Sequence, residues 1–121
     1  HIPIATGERI FTKWGFKEIL EKRAATILQP DICYAGGITE LKIIAGMAEA
    51  FDLPVVSHLI PEIQIHTMAA IPNGLTVEYM PWSLRLFEET PEIENGELVV
   101  PDKPGLGLNF NQDTIKRYQV S

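Results

Sequence analysis

The chain has 121 residues, of which 45% are hydrophobic, and it carries a formal net charge of -6 with a pI near 5.0. This balance is typical of a folded domain and argues against disorder, and the ten lysines and arginines form no basic stripe that could follow nucleic-acid phosphates. No apolar run approaches the roughly 20 residues that span a bilayer, so we expect no membrane partner and a cytoplasmic location.

Four short apolar runs, rich in aliphatic and β-branched residues, recur along the chain. They occupy residues 2–5, 26–28, 53–56 and 75–77. Runs of this kind predict buried strands, and they start roughly 25 residues apart, the length of one strand, one helix and two short loops. The pattern therefore predicts a repeated βα unit.

The segment after the first run has the pattern of an amphipathic helix. Its apolar side chains recur on one face, at Phe16, Ile19 and Leu20. Two pairs of opposite charge are spaced four residues apart, Lys17 with Glu21 and Glu18 with Lys22. This spacing places each pair on one helix face and predicts two surface ion pairs.

The segment after the second run predicts a loop and then a helix. We expect Cys33, the only cysteine, to be a small buried hydrophobe, and residues 36–37, both glycine, to form a tight turn rather than a phosphate cradle. Thr39 is the predicted N-cap of the helix. Its apolar stripe consists of Leu41, Ile44, Ala45 and Ala48.

A third helix is predicted over residues 62–71, and it stops at the Pro-Asn-Gly breaker at 72–74. Glu62 then lies in the first turn, where a carboxylate favours the helix dipole. His66, in the middle of this helix among apolar neighbours, is expected to pack rather than to bind a ligand.

The composition changes near residue 91, and no further βα unit follows. Asn95 and Gly96 supply the positive φ angles of a type I′ turn, so residues 94–100 predict a hairpin. The proline- and glycine-rich residues 101–107 predict an irregular passage, and residues 113–119 predict a short terminal helix.

Each apolar run ends at, or within three residues of, an ionisable side chain. These side chains are Glu8, Asp31, His58 and Glu78. The carboxyl ends of parallel strands share one edge, so all four are expected to face one cavity. A single polar residue at a strand end is commonly structural, but four in succession predict a functional site.

The four residue types suit one kind of chemistry. Glu8 offers the hard carboxylate oxygen that Mg²⁺ prefers. Asp31 beside His58 fixes the imidazole tautomer and makes a general base. A carboxyl group beside an anionic substrate favours its protonated form, so Glu78 could donate a hydrogen bond to developing negative charge. Together they predict proton abstraction next to a substrate carboxylate.

Two further residues near the strand ends are weaker candidates for substrate binding. Arg9 could contact an anionic substrate, although a salt bridge at the rim of the site is an equal alternative. Tyr79 could line the pocket, although aromatic side chains at strand ends are also ordinary rim packing. The same alternatives apply to Trp14, Tyr34 and Trp82.

The motifs around these residues resemble the C-terminal half of the mandelate racemase and muconate lactonizing enzyme group of the enolase superfamily. They are Ala-Thr-Gly-Glu-Arg at 5–9, Gln-Pro-Asp at 29–31, Gly-Gly-Ile-Thr at 36–39, Ser-His-Leu at 57–59, Val-Glu-Tyr at 77–79 and Val-Pro-Asp-Lys-Pro-Gly-Leu-Gly at 100–107. The resemblance implies that Glu8 is a Mg²⁺ ligand and that Asp31 and His58 form the catalytic dyad. It also implies that Glu78 hydrogen-bonds the substrate carboxylate.

The resemblance implies an α/β fold that is half of a TIM-type (β/α) barrel, with four βα units and a C-terminal tail. A complete barrel takes about 250 residues, so this barrel is incomplete. Residues 1–90 are the expected half-barrel, and residues 91–121 are expected to pack on a capping domain absent from this chain. The family's other two metal carboxylates, its lysine-bearing strand and that domain would lie in a missing N-terminal part of the same enzyme.

The resemblance therefore predicts a fragment of a Mg²⁺-dependent enzyme of carboxylate substrates, inactive alone, with a sugar-acid dehydratase as the first choice. The motif at 5–9 and the residues before it favour dehydration over racemisation. A racemase or epimerase of a 2-hydroxy acid is the alternative. A non-catalytic half-barrel that acts as an assembly piece is the alternative from another class, and the family implies a homo-oligomer.

Overall fold

The structure of the protein is a computed structural model that describes residues 2–120. Four strands alternate with helices through the first part of the chain, and a hairpin and a terminal helix follow. The strands of the main sheet are β1 (Ala5–Thr6), β2 (Ile27–Leu28), β3 (Val55–Val56) and β4 (Gly74–Thr76). The helices are α1 (Thr12–Glu21), α2 (Ile32–Ala35), α3 (Ile38–Glu49), α4 (Pro61–Ala69) and α5 (Gln112–Tyr118).

The main sheet is parallel throughout and has the order β1-β2-β3-β4. Ala5 pairs with Ile27, Leu28 pairs with Val55, and Val56 pairs with Thr76. Each strand after the first therefore pairs with the strand that precedes it in the chain. Among residues 2–120 the sheet stays open and does not close into a barrel.

The core lies between the sheet and the helices. Its members are apolar side chains at helical and strand spacing, namely Phe16, Leu20, Ala25, Leu28, Ile32, Ala35, Leu41, Ile44, Ala45, Ala48, Val55, Met68 and Ile71. The predicted stripe on α3 is thus confirmed, and so is the apolar face of α1. Both predicted ion pairs on α1 also form, and the Lys22–Glu18 pair has an Nζ–Oε1 distance of 2.5 Å.

The prediction that all four strands are buried is wrong for the two outer ones. Leu28 on β2 has no exposed surface, whereas Leu75 on β4 is 60% exposed and Ile2, before β1, is 84% exposed. The outer strands have a neighbour on one side only, so their side chains lack the packing that the inner strands receive. The first strand also begins three residues later than predicted, at Ala5.

The helices differ from prediction in three places. Thr39 is not an N-cap, because α3 starts at Ile38 and Gly37, with φ 96°, precedes it. Helix α4 covers Pro61–Ala69 rather than residues 62–71, because proline at its first position suits helix initiation. Helix α2 was not expected, although Asp31 and Gly36 cap its two ends. The predicted turn at 36–37 is therefore confirmed.

Cys33 is exposed, which contradicts its prediction as a buried hydrophobe. It follows Asp31 within α2, and the face of this short helix that carries Cys33 points away from the core. Partial burial, and then the Asp31 carboxylate, raise the pKa of its thiol. A raised pKa lowers the fraction of thiolate, so Cys33 is a weaker nucleophile than an ordinary cysteine.

The rest of the chain follows the sequence pattern. A 3₁₀ helix (Leu84–Leu86) precedes the hairpin, whose strands are β5 (Glu92–Glu94) and β6 (Glu97–Val99). Asn95 and Gly96 have φ angles of 51° and 87°, which confirms the type I′ turn. Residues 101–107 are irregular, as predicted. Of the helices described, none combines the length and the apolar character needed to cross a bilayer.

Candidate active site at the carboxyl edge of the sheet

Asp31 and His58 meet directly beyond the ends of β2 and β3. Their backbones form an isolated parallel bridge, which extends the pairing of the two inner strands by one step. The His58 Nδ1 atom lies 2.8 Å from the Asp31 Oδ2 atom. The predicted pair is therefore in hydrogen-bonding contact.

The carboxylate of Asp31 is fixed by its second oxygen. As the N-cap of α2, Asp31 accepts hydrogen bonds at Oδ1 from the backbone N–H groups of Cys33, at 2.7 Å, and Tyr34, at 3.0 Å. The residue is only 3% exposed. Because a carboxylate accepts only, a neutral His58 presents its Nδ1–H to Oδ2 and leaves Nε2 without a proton.

Glu8 lies on the other side of the imidazole. Its Oε2 atom is 3.4 Å from the His58 Nε2 atom, and its side chain is 49% exposed against 17% for His58. Gly7 permits this approach, because its φ of 132° suits glycine and an added Cβ would lie 2.6 Å from the Phe16 ring. The backbone after β1 therefore packs closely on Phe16, and the next residue, Glu8, lies beside His58.

Glu78 joins the group from the end of β4. Its Oε2 atom accepts a hydrogen bond of 2.8 Å from the backbone N–H of Leu59, the residue after His58. Its own backbone N–H donates to the Ser57 Oγ atom at 2.8 Å. The four residues predicted to share one edge of the sheet are thus brought together.

The two weaker candidates for substrate binding, Arg9 and Tyr79, are both exposed. Arg9 is 87% exposed and its Nε atom lies 3.5 Å from Glu8 Oε1, so the salt bridge considered from the sequence is present. Tyr79 is exposed on the rim. His66 is half-buried and its Nε2 atom lies 3.1 Å from the Leu106 carbonyl oxygen, a packing role that ties α4 to the tail. Substrate contacts of Arg9 and Tyr79 stay predictions.

The acidic residues of the site could contribute oxygen ligands to a metal ion. Within residues 2–120, no group of three or more histidine, cysteine, aspartate or glutamate side chains converges as a metal site would require. Glu8 is exposed at the rim, and its carboxylate is of the oxygen type that Mg²⁺ takes. It therefore fits as one ligand of a Mg²⁺ site.

Three polar side chains that support the site were missed from the sequence. Ser57 is buried and accepts from Glu78, Gln29 Nε2 donates to the Ser57 carbonyl oxygen at 3.2 Å, and the buried Gln64 reaches from α4. Ser57 was visible as a polar residue directly after the apolar run at 53–56. The two glutamines carry no sequence pattern, because their role depends on which carbonyl groups the fold brings near them.

Comparison with known families and curated proteins gives a consistent group of relatives. A family model described as enolase C-terminal domain-like matches residues 1–114. A D-xylonate dehydratase of Haloferax volcanii is 38% identical over 98% of this chain and 31% of its own length. An arabinonate dehydratase of Saccharolobus solfataricus is 37% identical over 98% of this chain and 34% of its own length.

Solved structures agree with these relatives. The L-talarate dehydratase from Polaromonas sp. JS666, complexed with Mg and L-glucarate, superposes with a TM-score of 0.92 at 37% identity, over 98% of this chain and 33% of that chain. An enolase from Bradyrhizobium, complexed with magnesium and mandelic acid, superposes with a TM-score of 0.92 at 32% identity, over 100% of this chain and 33% of that chain.

The chain spans about a third of the length of the relatives it matches. Its α/β architecture, its parallel sheet and the close superposition on one part of larger enzymes confirm the predicted fold class, a partial barrel formed by C-terminal βα units.

Proposed function

Because the chain belongs to the enolase C-terminal domain-like family, we propose that it is the carboxyl-terminal part of a Mg²⁺-dependent sugar-acid dehydratase. The observation that carries the proposal is the contact between His58 Nδ1 and Asp31 Oδ2 at 2.8 Å, at the edge where all four predicted residues meet. The names of the relatives support dehydration as the reaction.

His58 is the proposed general base. Asp31 holds the proton on Nδ1, so Nε2 is free to take the proton from the carbon next to the substrate carboxylate. The neighbouring carbon then loses its hydroxyl group, and a proton transferred to that group completes a molecule of water. Glu78, held beside His58 through Leu59, is proposed to hydrogen-bond the substrate carboxylate.

Glu8 is the proposed metal ligand of this chain. When bound, Mg²⁺ supplies positive charge that stabilises the negative charge developing on the substrate carboxylate. Glu8 would hold the ion on the side of the site where its Oε2 atom lies 3.4 Å from the His58 Nε2 atom. Magnesium in the solved complexes of two relatives supports the assignment.

The remaining parts of the site are proposed to lie in the rest of the same enzyme. These are the other metal carboxylates, the lysine on the opposite face of the substrate and the capping domain. Residues 91–121, after the half-barrel of 1–90, would pack against that domain. The expected homo-oligomer and the cytoplasmic location stay predictions.

Deuterium labelling separates dehydration from racemisation. The complete protein is incubated in D₂O with Mg²⁺ and a panel of sugar acids that includes xylonate, arabinonate and galactonate. Dehydration gives a 2-keto-3-deoxy acid and one molecule of water. A racemase or epimerase would instead return the acid with deuterium at the α-carbon, and neither result with any acid would contradict both assignments.

The non-catalytic alternative is tested by mass. A half-barrel with two open strand edges could pair with a copy of itself, and a natural gene product near 13.5 kDa would support it. A product about three times larger supports the enzyme.

A further inference from the structure

Gln64 connects α4 to both halves of the catalytic pair. It has no exposed surface, and it lies six residues after His58, on the second turn of the helix. Its Nε2 atom is 3.3 Å from the carbonyl oxygen of His58 and 3.4 Å from the carbonyl oxygen of Pro30. Pro30 directly precedes Asp31, so one side-chain amide contacts the main chain at or next to both residues of the dyad.

The orientation of the Gln64 amide follows from its neighbours. Both carbonyl oxygens accept hydrogen bonds only, so the NH₂ group must face them, with one hydrogen for each. Thr67 lies on the other side, with Oγ1 at 2.8 Å from Gln64 Oε1 and at 2.8 Å from the Gln64 carbonyl oxygen. Its single hydroxyl proton is shared between these two acceptors. Each polar atom of the amide therefore has a partner, which fixes its position.

The turn between His58 and α4 requires such support. Leu59 and Ile60 both have left-handed backbone angles, with φ of 54° and 44°, and this conformation is unfavourable for a β-branched residue such as Ile60. Strained backbone persists when the surroundings hold it in place. Here Glu78 binds the N–H of Leu59, and Gln64 binds the carbonyl group of His58.

We propose that Gln64 is a positioning residue, whose amide sets the separation and orientation of Asp31 and His58 by holding the Pro30 and His58 carbonyl groups together. Its effect on turnover rests on the proposed function, whereas its effect on the Asp31–His58 hydrogen bond does not.

The decisive variant is Gln64→Met, which keeps the length and volume of the side chain and removes both donors. Gln112→Met is the matched control, because Gln112 is exposed on α5 and its Nε2 lies 3.3 Å from the Phe110 carbonyl oxygen, remote in sequence from the dyad. In the complete protein labelled with ¹⁵N-histidine, we measure solvent exchange of the His58 Nδ1 proton, together with kcat, KM and the melting temperature.

For Gln64→Met we expect Nδ1 proton exchange at least about tenfold faster and kcat about tenfold lower, with KM within about twofold of wild type. Gln112→Met should change none of these. Should Gln64→Met not fold, Thr67→Val replaces it, because loss of the hydroxyl frees Gln64 Oε1 and should give the same changes in smaller degree.

A lower melting temperature with unchanged proton exchange and kcat would show that Gln64 is only structural, and it would overturn the proposal. Faster exchange in a protein whose wild type dehydrates no acid would support the positioning role and remove the proposed function. The two failures are therefore distinguishable.

Discussion

The inner and outer strands of the sheet contribute different kinds of residue to the site. Strands β2 and β3 are covered by helices and lead to Asp31 and His58, which contact each other and have side chains only 4% and 17% exposed. Strand β1 leads to Glu8, which is half-exposed beside His58, and β4 leads to Glu78. The contact between Asp31 and His58 is thus complete within this chain, whereas Glu8, the proposed metal ligand, lies at an open edge.

This difference shows how a site can be divided within one barrel. The dyad depends on the pairing of two adjacent strands, so it needs only the local sheet and the helices that cover it. A metal site needs ligands from several strand ends, and Glu8 is the one that we propose from this chain. Changes at the inner strands should therefore act directly on His58, the proposed base. Changes at the outer strands should act on the binding of the metal ion and the substrate.

The largest effect is expected for Asp31→Asn in the complete protein. Asparagine still caps α2 through Oδ1, but its NH₂ group faces His58 Nδ1 and makes that nitrogen an acceptor. The proton then moves to Nε2, the atom that should act as base. We expect kcat to fall by about 10⁴-fold, the loss typical of a catalytic histidine held in the wrong tautomer. Steady-state kinetics and a melting curve check this, and near-normal kcat would remove Asp31 from the dyad.

The next effect contrasts two leucines in the sheet. Leu28→Ala on β2 should lower the free energy of unfolding by about 2–5 kcal/mol, because the side chain is fully buried. Leu75→Ala on β4 should change it by less than about 1 kcal/mol, because most of that side chain is exposed. Denaturant unfolding of both variants of the 121-residue chain measures the contrast, and equal losses would mean that β4 is as well packed as β2.

A smaller effect is expected for Glu8→Gln in the complete protein. Loss of one carboxylate ligand should raise the Mg²⁺ concentration needed for half-maximal activity by at least about tenfold. Arg9→Gln is the control, because it removes the neighbouring charge and keeps the carboxylate. An unchanged Mg²⁺ requirement in Glu8→Gln would show that Glu8 is not a ligand.

The smallest effect concerns acid pH and the layer of helices over the inner strands. The backbone N–H of Lys13 on α1, and then its ammonium group, hold the pKa of Glu40 on α3 below its ordinary value. A carboxyl group with a lowered pKa stabilises the fold above its ordinary pKa, and this contribution is lost as the pH falls through the lowered value. Unfolding free energies measured between about pH 6 and pH 2 should decline. In Glu40→Gln the decline should be smaller, and an equal decline in both proteins would contradict the assignment.

Sequence reasoning predicted what depends on local pattern. The apolar stripe of α3, the ion pairs of α1 and the Asn-Gly turn follow from spacing along one element, and all three form. The meeting of Asp31 and His58 was also predictable, because parallel strands align their carboxyl ends. The roles of the site residues stay predictions, and so does the boundary near residue 90.

The rest depends on contacts that the sequence does not encode locally. The exposure of β1 and β4 depends on which elements cover the edges of the sheet. The exposure of Cys33 depends on which face of the four-residue helix α2 packs against the core. The two hydrogen bonds of Gln64 could not be predicted without knowing which carbonyl groups lie opposite α4. Helix α2 could have been found, because an aspartate and a glycine that suit its two caps flank it.

The most direct test of the account is exchange of the substrate α-proton in D₂O by the complete protein with His58→Asn. We predict that this variant binds the sugar acid with near wild-type affinity but neither exchanges the α-proton nor releases water. Continued exchange at a rate close to wild type would show that another group removes the proton, and it would contradict the assignment of His58 as the base.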